Sequence, residues 1–122
     1  MTDTIVLKPV PESIKTARDA VSLVASVWGI NDYIPRVVVS ELVTNAVRHS
    51  APDDHIVVRA YQMNGKRFIE VWDQADGMPR TQTPAETDEC GRGLILLSFL
   101  VERWGVRPLN ERGKVVYAEL RP

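Results

Sequence analysis

Ser40-Glu41-Leu42-Val43-Thr44-Asn45-Ala46-Val47-Arg48-His49 is the most informative stretch of the chain. Val39, Leu42, Val43, Ala46 and Val47 recur at three- and four-residue spacing, which predicts a helix with one apolar side. Glu41 and Asn45 lie four apart and project from the other side, with Thr44, Arg48 and His49 nearby. A carboxylate one turn from a carboxamide has two chemical uses. The amide oxygen suits a hard cation such as Mg²⁺, and the carboxylate is able to take a proton from a hydroxyl or water. The same stripe also reads as the solvated side of an amphipathic helix.

Upstream, Asp32 is the expected N-cap of this helix, with Pro35 tolerated in its first turn. Ile14, Ala17, Val21, Val24, Ala25 and Trp28 predict an earlier helix stopped by Gly29. Before it, Thr4 to Leu7 is a short β-prone run ended by Pro9, read as an edge strand over about residues 4–8.

Downstream, His55 to Tyr61 and Arg67 to Asp73 read as strands joined through Asn64-Gly65, a strong hairpin signal. Asp73 alternates in phase with Ile69 and Val71, which puts it on their face, the one expected to be covered by helices. A carboxylate there needs a donor, and a ligand amino group is one solution; a strand ending in an Asp-Gly turn is the other. Trp72 faces the opposite way and is a candidate dimer contact. Residues 74–90 lack periodicity and form a long loop. Leu94, Ile95, Leu97, Leu100, Val101 and Trp104 predict a third helix opened by Gly91 and Gly93. Free N–H groups at such a helix start favour phosphate, and Arg92 adds a permanent cation, although a lone Gly-x-Gly is equally a flexible helix start. Val106 and Lys114 to Leu120 supply two closing strands.

The element order is therefore β-α-α-β-β-loop-α-β-β. A hairpin plus a terminal meander predicts an α+β two-layer sandwich: a mixed, mostly antiparallel sheet covered on one face by three helices. All 122 residues fit one domain. Fifteen Lys and Arg against 16 Asp and Glu give a formal charge of -1, which argues against direct nucleic-acid binding. A lone cysteine, Cys90, fits a reducing compartment; with no signal-peptide pattern and no apolar run of about 18 residues, a cytoplasmic protein without membrane contact is expected. His49 and His55 have no metal-like companions, so no zinc site is expected.

The three segments occur in a telling order: Glu41-x-x-x-Asn45 on a helix, Asp73-x-x-x-Gly77 after a hairpin strand, Gly91-Arg92-Gly93-Leu94 before a helix. That order resembles the nucleotide-binding boxes of the GHKL (Bergerat-fold) ATPases over residues 12–120. Ser40 to His49 is especially similar to the anti-sigma-factor serine/threonine kinases. Val101-Glu102-Arg103-Trp104-Gly105-Val106 looks like their small single-domain members.

The resemblance implies ATP and Mg²⁺ as cofactors beneath a lid over about residues 78–90. By the same carry-over, Glu41 is the general base and Asn45 the Mg²⁺ ligand. Asp73 binds adenine, Gly77 packs near the ring, and Gly91, Arg92, Gly93 and Leu94 line the phosphates. It implies transfer of phosphate to a serine of an anti-anti-sigma (STAS-domain) partner, binding of a sigma factor, and a homodimer as a common state. Ala75 stands where the second box often has a glycine, and Arg80 is the lid's one cation. Both features suit the alternative, a non-catalytic nucleotide-binding anti-sigma or scaffold module. A histidine-kinase catalytic half acting in trans is a third reading.

Overall fold

A computed structural model of the chain describes residues 2–75, 89–110 and 112–122, with side chains omitted for Thr2 and residues 89–94. In chain order the elements are β1 (Thr2–Leu7), α1 (Glu12–Trp28), α2 (Tyr33–His49), β2 (Ile56–Met63), β3 (Lys66–Asp73), α3 (Glu89–Leu100), β4 (Arg103–Pro108) and β5 (Lys114–Glu119). This is the order expected from the sequence. The strands form one sheet in the order β1-β2-β3-β5-β4, and every pairing is antiparallel.

The helices cover one face of that sheet because the strands alternate. Ile56, Val58 and Ala60 of β2, Ile69 and Val71 of β3, and Val116 and Ala118 of β5 all point inward. They meet Ala17, Val21 and Val24 of α1, Val38, Val39, Leu42, Val43 and Ala46 of α2, and Leu97 of α3. Each buried Val, Leu or Ile removes enough apolar surface from water to contribute about 1.5–3 kcal/mol. The α2 helix is the central one, touching α1, α3, β2 and β3.

Local chemistry sets the element ends. Gly29 adopts φ +73°, and Ile30 N–H reaches back to the Ala25 carbonyl at 3.0 Å, closing α1. At the start of α2 the expected cap is displaced by one residue. Asp32 has helical backbone angles and makes no side-chain cap bond, whereas Asn31 Oδ1 accepts from Tyr33 N–H at 2.8 Å. Asn64 and Gly65 have φ of 55° and 76°, the pair of positive values that a two-residue type I′ hairpin needs.

The third helix differs from the sequence reading at both ends. It begins at Glu89, so Gly91 and Gly93 lie within its first turns instead of opening it. It stops at Leu100, and Trp104 belongs to β4, opposite Ala118 of β5. The apolar spacing from Leu94 to Trp104 is helical, but pairing with β5 takes over at Glu102, whose N–H donates to the Glu119 carbonyl at 2.9 Å. The expected edge strand is β1, which starts two residues earlier than read and pairs with β2 from Thr2 to Leu7. No described helix is long and apolar enough to cross a membrane.

Candidate functional site

The site forms where the C-terminal half of α2 lies over the end of β3. Asp73, the last residue of β3, is on the helix-covered face as its phase predicts and is only 2% exposed. Its Oδ1 accepts from Lys114 Nζ at 3.1 Å and from Ala75 N–H at 3.0 Å. Burial pushes the carboxyl above its ordinary range. Lys114, the Ala75 N–H and the charge of His49 all act in the opposite direction and do not fully offset it. The helix α2 packs directly on β3.

One turn before His49 on the same helix is Asn45, 3% exposed. Its Oδ1 is sealed from solvent and has no hydrogen-bond partner among the described residues. A buried carbonyl oxygen left unmet costs about 1–3 kcal/mol, so an orphan in a native core calls for an explanation. The donor is of the class Mg²⁺ prefers, a neutral oxygen, and that ion ordinarily completes its shell with waters and phosphate oxygens. The chemistry of Asn45 therefore fits the metal.

Glu41, one turn earlier again, is half-buried. It lines an open cleft between α1 and α2 together with Arg36, Val37 and Ser40. So α2 presents Glu41, Asn45 and His49 in sequence along one side, from this cleft toward Asp73. Because α2 packs against both β3 and α3, the helix carrying Gly91, Arg92, Gly93 and Leu94 is its direct neighbour. Gly77 and the lid up to residue 88 lie outside the described residues, while Glu89 and Cys90 belong to α3.

Several residues that the sequence reading passed over hold this corner together. Lys114 is itself only 2% exposed, and its sequence position, opening a strand, gave no hint that it would neutralise Asp73. Arg112 clamps two segments, donating to the Gln74 carbonyl at 2.8 Å and pairing with Asp54 at 2.5 Å. Gln74 Oε1 in turn accepts from His55 N–H at 2.8 Å. Gly113 sits against the strand end: a Cβ there would fall 2.1 Å from the Asp73 carbonyl oxygen. These contacts join residues 19 to 58 positions apart, which local pattern cannot reveal.

A two-layer sandwich of one antiparallel sheet covered on a single face by three helices is the Bergerat type of fold. The chain belongs to the histidine kinase-like ATPase domain family, whose model matches residues 7–120. Membership carries ATP binding with it.

Among solved structures, the RsbU and RsbW domains of Rv1364c from Mycobacterium tuberculosis are similar, with a TM-score of 0.69 and 21% identity. The match covers 99% of this chain and 32% of that one. The histidine kinase domain of the EL346 blue-light activated histidine kinase from Erythrobacter litoralis is also similar, at TM-score 0.56 and 23% identity, covering 73% of this chain and 43% of that one. The chain thus spans less than half the length of either protein, and at these identities the likeness is one of fold. No curated protein matches the chain.

Proposed function

We propose that this domain is a regulatory serine/threonine-protein kinase of the anti-sigma type, using ATP and Mg²⁺ to phosphorylate a serine on a STAS-domain antagonist. The observation that supports the reading is the buried Oδ1 of Asn45, without a partner among the described residues, one helical turn from Glu41 and on the helix that packs on the strand of Asp73.

Phosphoryl transfer asks a protein chiefly for position and charge. Mg²⁺ held by Asn45 would neutralise charge on the phosphates. Asp73 offers a carboxylate, held in place by Lys114 and Ala75 N–H, to the adenine amino group. Gly77 packs close to the ring. The start of α3 supplies the positive end of the helix dipole and free N–H groups, those of Gly91 and Arg92 among them, with Gly93 and Leu94 in the turn that follows. Glu41 accepts the serine hydroxyl proton from the open side of α2, where the cleft gives a protein substrate access. The unmodified kinase also binds a sigma factor, acts as a homodimer, and works in the cytoplasm as one domain over residues 1–122.

The test is incubation of the purified chain with a STAS-domain protein of the same organism and γ-labelled ATP. Label should appear on serine, and Glu41→Gln should slow transfer by ~10²- to 10⁴-fold while ATP still binds. Equal rates for wild type and variant would overturn the role of Glu41. Tight ATP binding with no transfer would support the alternative of a nucleotide-binding module without kinase activity, which Ala75 in the second box and Arg80 as the lid's sole cation favour.

A further inference from the structure

A second site lies at the opposite end of β3 from Asp73. Between the β2–β3 turn, the start of β4 and the residues after β5 is a cavity of about 220 Å³. Its walls carry four cations, Lys66, Arg67, Arg103 and Arg121, against two carboxylates, Glu102 and Glu119. Glu119 is already committed: its Oε1 pairs with Arg103 Nε at 3.0 Å, and its side chain is 7% exposed. That leaves Lys66, Arg67 and Arg121 facing Glu102, with Pro122 also on the wall. Among the described residues none of these three cations has an ion-pair partner.

The walls are fixed by main-chain bonds. Glu102 N–H donates to the Glu119 carbonyl at 2.9 Å and Leu120 N–H to the Arg67 carbonyl at 2.8 Å. The Arg67 guanidinium carbon stands 5.9 Å from the centre of the Trp28 ring, which steadies the side chain at the cavity's inner edge. A cavity of this size exceeds the ~30 Å³ share of one water. A ligand with several negative oxygens answers the excess of positive charge, and guanidinium forks match tetrahedral oxyanions.

We propose that this cavity binds a compact multivalent oxyanion of the phosphate or pyrophosphate class, held by Lys66, Arg67 and Arg121. It is distinct from the nucleotide end: an eight-residue strand separates the two by roughly 23 Å. The proposal stands independently of the kinase reading.

Titration of ¹⁵N-labelled protein with sodium pyrophosphate, and in parallel with inorganic phosphate, tests it, with ionic strength held constant by sodium chloride. The amides of Arg67, Arg103 and Leu120 should shift and saturate with at least one of the two anions. In Lys66→Gln/Arg121→Gln, whose changes are at the surface, the affinity read at those amides should weaken about tenfold or more. Arg67→Gln should act likewise, and if it fails to fold the surface pair carries the test. Shifts absent for both anions overturn the site. So do shifts reproduced by chloride alone, unchanged in the double variant, or confined to residues around Asp73.

Discussion

Lys114 Nζ donates to Asp73 Oδ1 at 3.1 Å, with the two side chains 3% and 1% exposed, so the strand-end carboxylate is held by a buried cation from the adjacent strand. The two residues are register partners on β3 and β5. One oxygen of Asp73 is thereby occupied by Lys114 and the Ala75 N–H, which fixes the direction in which the carboxylate is presented. This arrangement gives the fold a stake in the site, since the group proposed to read the base is also half of an internal ion pair.

Removing the cation alone should therefore be costly. Lys114→Met leaves a buried carboxylate uncompensated and is expected to lower stability by about 3–5 kcal/mol, read as a shift in the urea midpoint at neutral pH. The pair Asp73→Asn/Lys114→Met should recover much of that loss while binding ATP more weakly than wild type. A double variant as unstable as the single one would mean that Lys114 contributes through packing and not through charge.

The pH dependence of stability follows from the same pair. Burial raises the Asp73 carboxyl above its unfolded value, Lys114 notwithstanding, so the folded chain favours the protonated form more than the unfolded chain does. The stabilisation linked to this proton is complete below the unfolded carboxylate range, about pH 3.9, and is lost as pH rises through the raised value. Urea titrations of wild type and Asp73→Asn from about pH 4 to 8 should show wild type losing stability relative to the variant as pH increases. A gap that stayed constant, or moved the other way, would contradict the burial argument.

Gly113 is expected to tolerate no side chain. Its φ of +92° is strained for an L residue, and a Cβ would lie 2.1 Å from the Asp73 carbonyl oxygen and 2.8 Å from Gln74 Cα, both main-chain atoms. Gly113→Ala should cost about 2–5 kcal/mol from backbone strain and overpacking together. ATP affinity should fall as well, because the displaced backbone is that of Asp73. Thermal unfolding and a nucleotide titration on the same sample measure both.

The face of the sheet away from the helices makes its own prediction. Glu70, fully buried, accepts from Arg59 at 3.2 Å, Tyr61 Oη at 3.2 Å, Trp72 Nε1 at 2.9 Å and Arg107 at 3.1 Å. Glu70→Ala strips four donors of their acceptor, but both arginines reach solvent and can rehydrate. A loss of about 1–3 kcal/mol in chemical denaturation is expected, with ATP binding unchanged because the network faces away from Asp73.

Much of this molecule was readable along the chain. The apolar stripe through Ala17, Val21 and Val24, the alternation of Ile69, Val71 and Asp73, and the Asn64-Gly65 turn gave the element order, because each depends on residues within a turn or a strand of one another. Helical spacing put Glu41 and Asn45 together on α2, and strand phase put Asp73 on the covered face, where it is buried. Where the reading slipped, a longer-range contact had prevailed. Trp104 fits a helix by spacing, yet β5 pulls its segment into the sheet. Asp32 is a good cap by composition, yet Asn31 makes the bond.

What the sequence by itself determined is periodicity and order: which residues face inward, where the turns fall, and in which sequence the three motifs come. What only the tertiary structure decided is partnership. Lys114 meets Asp73, Glu70 gathers four donors, Arg112 ties Gln74 to Asp54, and Asn45 Oδ1 is left unmet among the described residues. The reason is physical: a side chain's periodicity is set by its own backbone, whereas the neutralisation of a buried charge is set by whatever donor another strand brings within about 3 Å.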